Sequence, residues 1–286
     1  MRAMAIVECI LLCFLLCTLF VVGCNSNHSN VFAETLEGPC QGLYGLPSAN
    51  TGLDSDRCKP SCTCGNVTWA PPKYDATWSE PLLKWKLTNP PALLKEDPYN
   101  KPAPKSPKGT VCAMLPAPNE ALTYSLKTYP GVQEAEAAGA RVTHFGPCGQ
   151  CSSLQNLHVY MTKTDLTGPV RSCAIKGLGG NDKAALKCLE EIGFDQPCAQ
   201  IWFYNTTHTR QKCLSKCLLL LESPHHTKDG KLNECIQCDE DKSGDVFKAI
   251  SGRTRRNSGL PSALCRPPES VRPITHDYGN RKTDGT

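Results

Sequence analysis

The sequence predicts a mainly α, disulfide-rich fold with few short strands, preceded by an irregular Cys/Pro-rich N-terminal arm. Three observations carry this. The 286 residues include 19 cysteines. Of the 23 prolines, 14 lie before residue 119. Beyond Asn119 the apolar residues recur with helical spacing. The remaining totals are ordinary: hydrophobic residues make up 40%, charged residues 20%, and the formal net charge is +4. That balance excludes a nucleic-acid binder acting through bulk charge, and it excludes wholesale disorder.

Four segments follow in order. Arg2 precedes the apolar run Cys9–Val22, which falls short of the ~20 residues that span a bilayer and reads as a signal peptide over residues 1–24. "VVG" before Cys24 offers small residues for cleavage, and "VFA" ending at Ala33 is a second position. The alternative is a retained signal-anchor, the one route by which a membrane enters. Cys9, Cys13 and Cys17 share a helix face there and behave as small hydrophobes. Residues 25–118 form the arm, 119–265 a disulfide-stapled helical domain, and 266–286 a flexible polar tail.

A secretory route makes the cysteines disulfide candidates. They are Cys40, Cys58, Cys62, Cys64, Cys112, Cys148, Cys151, Cys173, Cys188, Cys198, Cys213, Cys217, Cys235, Cys238 and Cys265. The set is odd, so one thiol is free, or one pairs with another chain, or Cys24 stays in the mature protein. The same route makes the sequons at Asn27, Asn66 and Asn205 candidate glycan sites.

In the arm, paired prolines at 71–72 and 90–91 and the run "NKPAPKSPKG" argue against long helices and central strands. Trp69, Trp78 and Trp85 are expected to pack the arm onto the main domain. In that domain, "NEALTYSLKT" and "GVQEAEAAGAR" predict short helices. "CSSLQNLHVYM" places Cys151, Leu154, His158 and Met161 near one face. "NDKAALKCLEEIG" predicts the clearest helix, capped by Asn181 and stopped by Gly193. "PCAQIWFYN" is strand-like, with four large apolar or aromatic residues in succession. "TTHTRQKCLSKCLLLLES" predicts a helix starting at Thr206 or Thr207. Its Cys213 and Cys217, one turn apart, cannot bridge each other and are expected to staple the helix to two other segments. "SGDVFKAISG" predicts one more short helix.

Several constellations bear on chemistry. Cys148-Gly-Gln-Cys151 follows a short strand-like "ARVTHF" and precedes a helix, so it looks like the thioredoxin site. That resemblance implies a redox dithiol, with Pro197 facing it. Pro147 and not an aromatic precedes Cys148, and the crowd of neighbouring cysteines departs from that family. His144, Cys148 and Cys151, completed by Cys235 and Cys238, have zinc-ligand spacing. "GPCGQCSS" resembles a papain-like nucleophile only in part, since Ser152 and Phe145 stand where that family has an aromatic and a glutamine. His276 would be its distant base. Asp239, Asp241, Ser243 and Asp245 resemble a calcium loop, with Gly244 at the turn, but Ile250 stands where a bidentate glutamate belongs. The competing reading is an acidic helix start. "RTRR" ending at Arg256 fits a furin-type processing pattern in a secreted chain.

No catalytic set is complete. The sequence therefore points to a secreted or lumenal Cys-rich glycoprotein with a binding or structural role and an extracellular or lumenal partner, without a cofactor unless calcium binds weakly. A lumenal thiol–disulfide oxidoreductase using Cys148 and Cys151 is the alternative.

Overall fold

The computed structural model describes residues 42–70 and 76–278. The leader expected over 1–24, together with Asn27 and Cys40, lies outside the described residues.

Two small sheets lead in. Strand β1 (Leu43–Tyr44) pairs in parallel with β2 (Cys58–Lys59), and β3 (Cys62–Cys64) forms a hairpin with β4 (Val67–Trp69). The main sheet contains β5 (Lys86–Leu87), β6 (Val111–Pro116), β7 (Thr123–Tyr129) and β8 (Arg141–Phe145), in the order β5-β7-β6-β8. β6 is antiparallel to both its neighbours, while β5 joins β7 in parallel.

Strand β6 is buried on both faces. Cys112 and Met114 face the main core with Tyr124 and Leu126, while Val111 and Ala113 pack with Tyr129, Ala135 and Ala140. Such a strand shows no polar alternation, so the sequence boundary expected at residue 118 falls between two adjacent strands of one sheet. The helix expected from "NEALTYSLKT" is instead β7. Tyr124 and Leu126 go inside while Lys127 and Thr128 face solvent, and pairing with β6 prevails over the local helix formers.

The helices pack on that sheet. They are α1 (Val132–Ala137), α2 (Leu154–Thr162), α3 (Thr167–Lys176), α4 (Asp182–Ile192), α5 (Gln196–Leu218), α6 (Glu234–Lys242) and α7 (Gly244–Ser251). In α2 the Ser153 hydroxyl accepts from the Asn156 N–H at 3.2 Å. Helix α4 has the expected ends: Asn181 Oδ1 accepts from the Ala184 N–H, and Gly193 takes the left-handed conformation at φ 119°.

Helix α5 departs from expectation. The strand-like "IWFY" is helical, and no break occurs at Thr206 or Thr207. Asp195 caps the helix by accepting from the Cys198 N–H at 3.0 Å, and Pro197 sits in the first turn, where its missing N–H costs nothing. The aromatic residues then find helical partners: Trp202 stacks on Phe194 and packs against Phe247, with centroids 5.9 and 4.6 Å away.

Six disulfides cross the described residues. They join Cys58–Cys265, Cys112–Cys148, Cys151–Cys198, Cys173–Cys188, Cys213–Cys238 and Cys217–Cys235. Cys64 is disulfide-bonded as well. Each bridge of this kind typically contributes roughly 2–4 kcal/mol. Cys213 and Cys217 do find different partners, but both lie on α6. The expected staple to two segments is therefore a double staple to one, which clamps α5 and α6 antiparallel. The bridges favour an extracellular or lumenal protein, and no described helix is long and apolar enough to cross a membrane.

The tryptophans anchor the entering chain as expected. The Trp69 indole N–H donates to the Val271 carbonyl at 2.8 Å, Trp85 meets Tyr124 edge-on, and Trp78 packs against the main core. The same bond corrects the tail. Residues 266–278 are docked rather than loose, with Val271, His276 and Tyr278 buried. The chain carries too few apolar residues there to announce it, but His276 and Tyr278 reach the core together.

Cys62 alone among the described cysteines is unbridged, and burial and then Glu269 raise its pKa. Iodoacetamide on native protein at pH 7 should label Cys62 slowly and leave the bridged cysteines untouched, as peptide mass mapping will show.

Three imidazoles, His144, His226 and His276, are buried, each placed between a carbonyl that accepts from one ring nitrogen and a group that donates to the other. The carbonyls are those of Phe145, Gly230 and Ser258. Burial lowers all three pKa values, His276 to about 3. Between those folded values and the unfolded value near 6.5 the unfolded chain binds more protons. Stability is then full above about pH 6.5 and falls on acidification, by about 1.4 kcal/mol per pH unit for His276, with His144 and His226 acting in the same direction. The urea midpoint should therefore drop between pH 7 and pH 5; an unchanged midpoint would contradict neutral burial.

Candidate functional site

A groove runs between helices α3, α5, α6 and α7. Together with residues 254–266 they line a volume of about 460 Å³, a size that suits a small ligand. Its floor is apolar and aromatic, with Val170, Trp202, Phe247 and Leu260. The Trp202 indole N–H donates to the Tyr160 hydroxyl at 3.2 Å, which satisfies the one polar atom of the indole. Its mouth is also apolar. Ile175, Leu178, Leu214 and Leu218 line it and are 57%, 55%, 48% and 57% exposed. Clustered exposed side chains of this size mark interaction sites, unlike scattered single ones.

The local causes are legible. The α5 face that carries Trp202, Thr206, Thr209, Arg210, Leu214 and Cys217 follows the helical repeat. The two bridges to α6 fix that face against the acidic helix. Across the groove, the α3–α4 bridge Cys173–Cys188 holds the wall that bears Ile175.

The polar groups are anchored. Glu240 reaches Arg266 at 2.6 Å, Arg256 at 3.0 Å and Lys248 at 3.4 Å. Burial opposes its charge, but Arg266, Arg256 and Lys248 prevail and hold the carboxyl below its ordinary range. Asp239 is buried deeper and its pKa is raised by that burial, although it accepts from the Thr209 hydroxyl and from Asn205 Nδ2. Asn205 Oδ1 in turn accepts from the Tyr99 hydroxyl at 2.7 Å, and the Tyr99 ring stacks on His208 at 4.3 Å. These bonds tie the entering chain, α5 and α6 together beneath the groove.

The residues singled out from sequence are mostly dispersed. The Cys148–Cys151 dithiol is not formed: Cys148 pairs with Cys112 and Cys151 with Cys198, so neither is available for exchange as a pair. The same bonds, with Cys235 and Cys238 bridged to α5, remove the thiolates that zinc would need. His144 Nε2 instead accepts from the Ser152 hydroxyl at 2.7 Å, wholly buried. His276 is equally buried, far from acting as a mobile base. His158 is partly buried and bonded to the Ser79 carbonyl at 3.1 Å.

The acidic loop is helix. Asp239 and Asp241 belong to α6, Asp241 accepts from Gln237 Nε2, Ser243 meets His208 and Thr209, and Asp245 is exposed beside Lys248. These four do not converge, and among the described residues no group of three or more His, Cys, Asp or Glu side chains is placed to hold a metal ion.

"RTRR" is not an exposed basic loop. Arg253 is fully buried and Arg256 is paired with Glu240 within a short helical turn, Arg256–Ser258. The two described sequons also part company. Asn66 is exposed in the β3–β4 turn, whereas Asn205 is buried with both amide atoms engaged. The groove itself escaped sequence reading. Its one local signal is the surplus of leucine at the end of α5, in "CLLLLES".

Residues 182–274 match a family of unknown function (DUF8771). That span covers α4 to α7 and the segment after them, but not α3. No curated protein and no solved structure matches the chain.

The sequons supply a direct test. Expressed in a glycosylating secretory host, the protein should lose one glycan's mass on Asn66→Gln and none on Asn205→Gln, read by gel mobility before and after endoglycosidase treatment.

Proposed function

We propose that the protein is a secreted or lumenal glycoprotein that binds a small apolar-tailed ligand in the groove between α3, α5, α6 and α7. The observation that carries this reading is an apolar groove whose mouth is ringed by exposed Ile175, Leu178, Leu214 and Leu218. Leaving such side chains in water forgoes about 25 cal/mol for each Å² of apolar surface that a ligand would cover. The frame around the groove is rigidly stapled, so little ordering is needed on binding. The cysteine framework supports the extracellular or lumenal setting, and exposed Asn66 supports a glycan. The oxidoreductase alternative has no support, because its two cysteines sit in different bridges.

The test uses Nile red, a neutral apolar dye, with oxidised full-length protein. Binding should raise and blue-shift its fluorescence with micromolar affinity. Placing carboxylates at the mouth with Ile175→Glu and Leu214→Glu should weaken it about tenfold or more, through lost apolar contact and a buried charge. Circular dichroism and thermal melting should be unchanged, since both side chains are half-exposed. Failure of the native protein to bind, or equal binding by the double variant, would overturn the proposal.

A further inference from the structure

The groove is apolar, but two of its walls carry charge of one sign. Helices α3 and α5, which form two of its walls, contain no Asp or Glu in "TGPVRSCAIK" or in "QPCAQIWFYNTTHTRQKCLSKCL". They carry Arg171, Lys176, Arg210, Lys212 and Lys216. Of these, Arg171 and Arg210 line the groove. Arg171 donates to the Leu221 carbonyl at 2.6 Å, which satisfies an N–H but leaves the charge without an acidic partner among the described residues. Arg210 is partly buried on the groove face of α5, one turn from Thr206 and one turn from Leu214, and makes no hydrogen bond or ion pair with any described residue.

The groove's own acids do not answer these cations. Asp165 accepts from His225 Nε2, Ser48 and the Thr167 N–H, Glu240 is shared by three basic side chains, and Asp239 is held by Thr209 and Asn205. A guanidinium drawn partly out of water beside an apolar wall, with its fork of donors unused, is complementary to a carboxylate or phosphate, which it can bind bidentately.

We infer that the groove takes an anionic amphiphile, with its hydrocarbon chain along Trp202, Phe247 and the leucine-lined mouth and its carboxylate or phosphate head at Arg210, assisted by Arg171. This rests on the reading of the groove as a binding site. It adds the class of ligand and the residue that selects it.

The experiment is displacement of Nile red from the oxidised full-length protein at pH 8, below micelle concentrations. The competitors share one chain length: dodecanoate, dodecyl phosphate, dodecanol and dodecyltrimethylammonium. One or both anions should displace the dye at about tenfold lower concentration than dodecanol, the scale of one charge-assisted hydrogen-bonded contact. The cation should be the weakest. The stronger of the two anions identifies the head group. Arg210→Gln should remove most of that preference while leaving dodecanol unchanged, and Arg210→Lys should retain part of it. If dodecanol and both anions compete equally, the groove reading stands and this inference falls. If the preference survives Arg210→Gln in protein with native melting, the assignment to Arg210 falls. If neither dye nor amphiphile binds, the groove reading itself falls.

Discussion

The buried guanidinium of Arg253 is the interaction on which the rest of the architecture depends. It lies at 0% exposure without a carboxylate partner among the described residues. Its donors go to neutral acceptors on three separate pieces of chain. Nη1 reaches the Thr143 carbonyl of β8 at 2.9 Å and Ser258 Oγ at 3.3 Å. Nη2 and Nε reach the Ser152 and Cys151 carbonyls at 2.9 and 3.2 Å. A buried cation is tolerated only where its donors are satisfied, so each of these backbone oxygens has to be where it is. The sheet, the entry to α2 and the chain leaving α7 are thereby held at one point. The contact is close enough to demand glycine on both sides: Gly252 has φ 71°, and a Cβ there would lie 2.5 Å from the Gly149 nitrogen.

Around that point the disulfides determine which helices can face each other. Cys112–Cys148 and Cys151–Cys198 run from the Gly149 turn in opposite directions, one to the sheet and one to the start of α5. The far end of α5 is fastened twice to α6. A helix pinned at both ends by covalent bonds does not need its whole surface for packing. Ile201 and Cys213 are buried while Leu214 and Leu218 stay half in water. The groove is the consequence, since the stabilisation that an ordinary domain takes from closing such a face comes here from the bridges and from the Glu240 and Asp239 networks beneath it.

The same arrangement explains why the chemistry suggested by the motifs is absent from the described fold. C-G-Q-C has the local order of a redox site, but its reactivity depends on which sulfurs are neighbours, and the nearest ones belong to Cys112 and Cys198. Asp239 and Asp241 have calcium-loop spacing, but helical backbone turns successive ligands away from a common centre. "RTRR" has a protease's preferred residues in a segment whose first arginine is the molecule's central clamp.

Local physics was legible in the chain itself. Cysteine content set an oxidised, bridged framework. Asn181 and Gly193 marked both ends of α4, because capping depends only on residues within a turn. The tryptophans announced a packed N-terminal stretch, since burying them is the strongest force available to a proline-rich segment. Non-local choices were left to the tertiary structure. β7 became a strand because β6 was there to pair with it, and "IWFY" became helical because Phe194 and Phe247 gave its rings a place. Residues 266–278 docked because Trp69 and Ser258 offered bonds to them. The pairing of cysteines and the groove with its unanswered Arg210 depend on contacts between residues far apart in sequence. Periodicity and propensity carry no information about such contacts, so only the folded chain could decide them.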